Sequence, residues 1–211
     1  MKPGQKFRNA LKNNKPLIIP GTINAYSAKL AELANHNSIY LSGSGVAAAS
    51  YGLPDLGVTT LENVLIDAKR ITSATSLPLL VDIDTGWGDF DAISNTIIEM
   101  GNANVAAVHI EDQIFDKRCG HRPNKQLVSI DEMQDRLKAA LDAKIDDSFF
   151  IMARTDALAS EGIEKAIERC GKYLDVGADG IFFEAAVSIE EYKEFKNNFL
   201  SLIHISEPTR P

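Results

Sequence analysis

Asp82 and Asp84 lie at the end of the apolar run Leu77–Ile83. On a strand, residues two apart point to the same side, so both carboxylates would face one space. They would repel each other there unless a cation sits close by. A hard divalent ion, Mg²⁺ above all, suits such oxygen ligands together with several waters. The same two residues could instead cap the next helix and solvate a loop. Thr85-Gly86-Trp87-Gly88 then permits a tight turn with close backbone approach to a ligand. His109-Ile110-Glu111-Asp112 ends another apolar run with the same geometry. Glu111 would join a metal's shell directly or through water. His109 either serves the site or makes a buried His–Glu hydrogen bond that fixes the strand end.

Lys117-Arg118-Cys119-Gly120-His121 is the strongest local signal. A thiol among three cationic or potentially cationic side chains forms an anion-attracting, reactive position. Gly120 would let the backbone bend so that Cys119 and His121 both face inward. The alternative is a basic surface loop with an incidental thiol. Cys170 offers the contrast: it falls with Ile163, Ala166, Ile167 and Leu174 at helical spacing and reads as core.

The elements that must position these groups alternate along the chain. Apolar runs at 17–20, 38–41, 77–83, 105–110, 149–153 and 180–183 read as strands. Segments of helical period at 25–34, 60–74, 91–100, 131–144, 163–176 and 190–199 separate them. Ser129-Ile-Asp-Glu132 has the pattern of a capping box. Strands apolar on both faces between amphipathic helices imply a parallel sheet with helices packed outside. The polar residues gather just after successive strands, at Ser42–Gly45, Asp82–Asp84, His109–Asp112, Arg154–Asp156 and Glu184. A barrel builds its site that way, at the C-terminal ends of many strands, whereas a doubly wound sheet concentrates its groups at one switch point. No Gly-x-Gly-x-x-Gly opens a helix. The expected fold is thus α/β, a TIM-type (β/α)8 barrel represented by roughly its first six units over residues 1–200. Residues 201–211 do not resume the pattern and are expected to be a tail foreign to the domain.

The 211 residues are 45% hydrophobic and 24% charged, with a formal net charge of -7. This composition supports a soluble globular domain and gives no clustered basic patch for nucleic acid. No run approaches the ~20 apolar residues that cross a bilayer. Two cysteines are too few for a disulfide framework, so a reducing cytoplasm is the expected compartment.

Taken together, the motifs resemble the isocitrate lyase/phosphoenolpyruvate mutase superfamily, and within it the 2-methylisocitrate lyases. The resemblance rests on Thr22-Ile-Asn-Ala, Tyr40-Leu-Ser-Gly, Leu53-Pro-Asp-Leu-Gly57, Leu79-Leu-Val-Asp82, His109-Ile-Glu-Asp-Gln113, Lys117-Arg-Cys-Gly-His121 and Ile151-Met-Ala-Arg-Thr-Asp-Ala157. It runs from about Phe7 to about Phe199. Arg122-Pro-Asn-Lys125 follows the signature as in 2-methylisocitrate lyases, whereas isocitrate lyases have Gly-Gly-Lys. Ser44 departs from the family's usual glycine.

The resemblance implies Mg²⁺-dependent cleavage of (2R,3S)-2-methylisocitrate to pyruvate and succinate, in the methylcitrate cycle of propionate catabolism. It implies Asp82, Asp84 and Glu111 around the metal, with Mn²⁺ as a substitute. Ser42, Gly43, Ser44, Asp55, Cys119, Gly120, Arg154 and Glu184 would bind the tricarboxylate. Cys119 would be the general acid, Tyr40 a candidate base, and Lys117 and His121 further catalytic groups. Residues 116–125 would close over the substrate. The full-length form would be a homotetramer. The rivals are an isocitrate lyase or phosphonopyruvate-type mutase or hydrolase, and a non-catalytic fragment that lacks further substrate-binding residues.

Overall fold

The computed structural model describes residues 1–115, 117, 119 and 124–199, and the backbone of residues 203–204. Nine helices and six strands alternate through them. The order is α1 (Pro3–Asn13), α2 (Ala25–Leu33), β1 (Ile39–Leu41), α3 (Gly43–Tyr51), α4 (Leu61–Ala74), β2 (Leu79–Asp82) and α5 (Phe90–Asn102). There follow β3 (Ala107–Glu111), α6 (Ile130–Asp142), β4 (Phe150–Thr155), α7 (Leu158–Glu161), α8 (Ile163–Val176), β5 (Gly180–Phe183), α9 (Ile189–Asn198) and β6 (Ile203–His204). Every pairing is parallel, and the strands lie in sequence order, β1-β2-β3-β4-β5-β6. An order without reversal has no switch point and is that of a (β/α) barrel wall rather than a doubly wound sheet.

The side-chain period of two divides the sheet. Leu79, Val81, Val108, Ile110, Ile151, Ala153, Ile181 and Phe183 belong to the large apolar cluster that the helices cover. Leu80, Ala107, Phe150, Met152 and Phe182 form a second cluster on the inner face. Phe7 from α1 is fully buried in that inner cluster and meets the Phe150 ring edge-on at 5.2 Å. Arg8, beside it, donates to the backbone carbonyls of Ser148 and Phe149 and pairs with Asp179 at 2.7 Å. Helix α1 therefore plugs the end of the sheet from which the strands start.

Helix starts follow local chemistry. Asn24, Thr60 and Ser188 each form a reciprocal capping box with the third residue of their helix. Ser129 caps α6 by accepting the Glu132 N–H, but the expected return bond is replaced: the Glu132 carboxylate pairs with Arg136 at 2.7 Å.

Sequence and structure differ in two places. Residues 17–20 form no regular strand. Pro16 and Pro20 lack the N–H groups a ladder needs, and contact with β1 reduces to one bridge, Gly21 to Tyr40, flanked by the Tyr40 N–H on the Pro20 carbonyl. Residues 43–51, which the sequence pattern assigned to no element, are helix α3. Within the segment expected to be a tail, Ile203–His204 pair in register with Ile181 and Phe182 of β5.

Candidate active site

The site lies where the inner face meets the C-terminal ends of the strands. The register brings Asp82 beside His109 and Glu111 beside Arg154. Each inner-face row continues into a polar residue: Tyr40 to Ser42 on β1, Leu80 to Asp82 on β2, Ala107 through His109 to Glu111 on β3, Met152 to Arg154 on β4, and Phe182 to Glu184 after β5. Apolar residues fill the lower part of the same face that becomes charged at the mouth.

Asp82 and Asp84 converge, though not by strand pleat alone. Strand β2 ends at Asp82, and Asp84 follows with φ of 47°, in the left-handed region where a short polar side chain is tolerated. That turn lets the Asp84 N–H donate to Asp82 Oδ1 at 3.1 Å, while Asp82 Oδ2 accepts the N–H of Gly43 at 3.1 Å. Gly43 is the meeting point. A Cβ there would lie 3.2 Å from Asp82 Oδ2 and 3.3 Å from Asp84 Oδ1. In this structure the Gly43 amide thus holds a carboxylate of the chain itself, not a substrate's. Ser42 and Ser44 place their hydroxyl oxygens 2.9 Å apart beside it.

Lys117 lies between acids from three segments. Its Nζ stands 2.6 Å from Asp84 Oδ1 and 2.8 Å from Asp55 Oδ1, with the Lys117 side chain 6% exposed. Burial would lower the ammonium's pKa, but Asp84, Glu111, Asp82 and Asp55 together hold it above its usual value. The two aspartates are driven apart. Burial would raise Asp82, yet His109, Lys117 and Arg154 bring it down to about 2. Burial and then the Asp82 charge push Asp84 up to about 6, against the pull of Lys117.

Glu111 is fully buried, and burial, only partly offset by Arg154, pushes its carboxyl well up. Its Oε2 lies 3.3 Å from Arg154 Nε, and its Oε1 has no hydrogen-bond partner among the described residues. An orphaned buried carboxylate oxygen is costly, and one beside two converging aspartates fits a divalent cation. No ready-made group of three His, Cys, Asp or Glu ligands is assembled among the described residues. Mg²⁺ does not need one, since it usually binds through one or two carboxylates and keeps several waters.

Half-buried Tyr40 and fully buried His109 form a pair, the phenol oxygen 3.0 Å from His109 Nε2, with His109 Nδ1 3.6 Å from Asp82 Oδ1. His109 is thereby held between Tyr40 and Asp82, with its ring 4.8 Å from that of Phe182. Burial first and the Asp82 charge second raise the Tyr40 pKa well above 10. Tyr40 is therefore a neutral hydroxyl at ordinary pH, which suits orientation and hydrogen bonding better than the base role its position suggested.

Cys119 is part-buried. Gly120 and His121, expected beside it in the site, lie outside the described residues, as does Arg118. Arg154 is clamped. Asp156 accepts from its Nε at 3.0 Å and its Nη2 at 3.3 Å, the Phe182 ring lies 5.3 Å below the guanidinium, and Glu184 approaches Nη2 at 3.7 Å.

Sequence reasoning missed the support behind Arg154. Asp112 is fully buried and accepts the Thr155 hydroxyl at 2.7 Å, the Tyr173 hydroxyl at 2.8 Å and the Asp156 N–H at 2.9 Å. Lys125 reaches Asp156 at 2.9 Å with both side chains essentially inaccessible. Asp112, Lys125 and Asp156 appeared in the sequence only as letters of motifs. What could have marked them is that charged residues adjoin apolar strands that leave little room for them outside.

A family model described as phosphoenolpyruvate phosphomutase matches residues 7–208. The chain belongs to this family. Among its relatives, the 2-methylisocitrate lyase of Shewanella oneidensis is 61% identical over 193 residues, covering 92% of this chain and 66% of the relative. The chain thus spans about two thirds of the length of that relative. Among solved structures, an oxaloacetate acetylhydrolase in complex with 3,3-difluorooxalacetate superposes with a TM-score of 0.90 at 35% identity, covering 94% of this chain and 69% of that one. A phosphonopyruvate hydrolase solved with oxalate and Mg²⁺ superposes at 0.83 and 31% identity, covering 96% and 70%. The open strand order of this phosphoenolpyruvate phosphomutase family member is thus that of a superfamily fold. Among the described residues, no helix is long and apolar enough to cross a membrane.

Proposed function

We propose that this chain carries the site of a Mg²⁺-dependent carbon–carbon lyase that cleaves 2-methylisocitrate to pyruvate and succinate. The observation that carries the chemistry is the convergence at one strand-end mouth of Asp82, Asp84 and Glu111 with the clamped Arg154. The 61% identical relative supplies the choice of substrate.

Asp82 and Asp84 would hold the ion, with Glu111 in support directly or through water. When bound, Mg²⁺ would draw charge from the substrate hydroxyl and its neighbouring carboxylate. Arg154 would grip a carboxylate with the guanidinium nitrogens that Asp156 leaves to it, a charge-assisted contact. Ser42 and Ser44 would offer hydroxyl donors. A general base would take the hydroxyl proton as the adjacent C–C bond breaks, the former carbinol carbon becomes the keto carbon of pyruvate, and the electron pair passes to the succinate carbon. Cys119 would give that carbon a proton, general-acid work. The expected tail at 201–211, the cytoplasmic location and the tetramer of the full-length form belong to the same reading.

The test is pyruvate release from 2-methylisocitrate and from isocitrate by the protein at its relatives' full length, with Mg²⁺ or EDTA. EDTA-sensitive cleavage of 2-methylisocitrate that Cys119→Ser reduces by about 10²-fold or more is expected. A folded protein that cleaves neither acid would move the assignment to the mutase and hydrolase branch.

A further inference from the structure

Arg154 is the mouth's only described arginine, and its usefulness depends on which nitrogens face a ligand. Its Nε and Nη2 are taken by Asp156, and one face lies on Phe182. Nη1 has no hydrogen-bond partner among the described residues. Asp156 has no freedom to release the fork. Its Oδ1 accepts both Arg154 Nη2 and Lys125 Nζ, its Oδ2 accepts Arg154 Nε, and its N–H is fixed to Asp112.

Lys125 is a strange residue to bury unless it has a task. Its side chain is 1% exposed and that of Asp156 is 0%. A buried charge is costly and persists where a partner and geometry compensate it. Three carboxylates, Glu111, Asp156 and Glu184, surround Arg154. Without Lys125, Arg154 would be the one cation left on Asp156 among the described residues, and Asp156 would compete more strongly for the guanidinium that a substrate needs. The backbone fixes where Lys125 stands. Gln113 and Leu127 form an antiparallel bridge, and the Ile114 N–H donates to the Gln126 carbonyl at 2.9 Å. Lys125 therefore leaves the chain two residues before a fixed pairing and reaches Asp156 from a set point.

We propose that Lys125 and Asp156 are positioning residues. Lys125 holds Asp156 in place, and Asp156 holds the Arg154 guanidinium with Nη1 available to a substrate carboxylate. This rests on the proposed lyase reading only in treating the mouth as a carboxylate site. Oxalate, a dicarboxylate found in the solved phosphonopyruvate hydrolase relative, is a probe that does not require turnover.

The experiment is isothermal titration of oxalate, at saturating Mg²⁺, into the full-length protein and its Asp156→Asn, Lys125→Met and Lys125→Arg variants. Melting temperatures and KM and kcat for 2-methylisocitrate are measured alongside. Oxalate binding should weaken about 10- to 100-fold in Asp156→Asn and Lys125→Met, the range for loss of an orienting partner. KM should rise more than kcat falls, and Lys125→Arg should recover binding to within about 3-fold. Oxalate affinity unchanged in either folded variant overturns the proposal, as does Lys125→Arg binding no better than Lys125→Met. If Lys125→Met fails to fold, the isosteric Asp156→Asn decides alone. If the parent binds oxalate but cleaves neither acid, the lyase reading fails while the variant series still judges the positioning.

Discussion

Replacing Gly43 by alanine separates the metal site from the fold around it. Gly43 is the first residue of α3 and does not require a positive φ, so its backbone accepts alanine. Helix propensity favours the change by at most about 1 kcal/mol. The cost lies elsewhere. The new Cβ would sit 3.2 Å from Asp82 Oδ2, 3.3 Å from Asp84 Oδ1 and 3.4 Å from Asp82 Cγ, so these atoms must give by a few tenths of an ångström. Neither carboxylate is free to do so. Asp82 is bound on both oxygens by backbone N–H groups, and Asp84 is paired to Lys117. The displacement falls on two oxygens that would bind the cation, and disturbing the partners of metal ligands typically costs 10- to 100-fold in affinity. Gly43→Ala should therefore raise the Mg²⁺ concentration for half-maximal activity about 10-fold, about 1.4 kcal/mol, with the metal-free melting temperature unchanged or slightly higher. Mg²⁺ titration of activity beside thermal unfolding in EDTA measures both. An unchanged Mg²⁺ requirement would refute the placement of the ion between Asp82 and Asp84.

Other changes probe the frame. Phe7→Ala empties the plug on the inner face and should cost about 3–5 kcal/mol in denaturant unfolding, as large-to-small core changes do, while leaving the Mg²⁺ requirement alone. Tyr40→Phe should lower kcat yet remove no ionisation from the pH–rate profile below about pH 10, because burial keeps the phenol protonated there; loss of a limb in that range would restore Tyr40 as the base. Glu161 accepts both Arg169 Nε and Nη2 at 2.7 Å, which holds its pKa below the ordinary 4.5. A depressed carboxyl stabilises the fold above its unfolded value and loses that contribution as pH falls through its folded one. Glu161→Gln should thus cost up to about 1 kcal/mol at pH 7, discounted for partial exposure, and the difference from the parent should shrink as pH falls below the ordinary carboxylate range.

The sequence made the architecture legible because the barrel's period is local. Runs such as 149–153 and 180–183 are apolar on both faces, and each lands on or within a residue or two of a strand. Where the reading failed, the cause was non-local or masked by composition. Helix α3 is rich in Gly, Ser and Ala, so no amphipathic stripe announces it. Residues 17–20 carry strand-forming side chains, but their prolines leave the ladder without donors. The site was legible for the same reason as the strands. Asp82, Glu111, Arg154 and Glu184 are each the polar continuation of an inner-face row, so counting by two from Leu80, Ala107, Met152 and Phe182 arrives at them. Lys125 and Asp112 were not legible in role. Their partners lie 31 and 43 residues away, across elements whose register only the folded sheet sets.

The charges at the mouth explain why one lysine and one divalent ion can share it. Asp82 is neutralised by the chain: two backbone donors and the neighbouring cations keep it ionised at every ordinary pH. Asp84 is not, since burial and Asp82 raise it to about 6 and the Lys117 ammonium at 2.6 Å is what favours its charge. Glu111 has still less, with one oxygen unpartnered. A cation held by Asp82 and Asp84 with Glu111 in support would therefore meet a need that Lys117 meets only in part. The Lys117 ammonium would keep Asp55, at 2.8 Å, as its remaining anchor. Lys117→Met should then leave Asp84 dependent on the metal. Its thermal stability in EDTA should fall more than its stability in saturating Mg²⁺, by about 1–3 kcal/mol, the usual cost of an uncompensated buried polar group. Equal losses with and without the ion would show that lysine and metal do not compensate the same carboxylate.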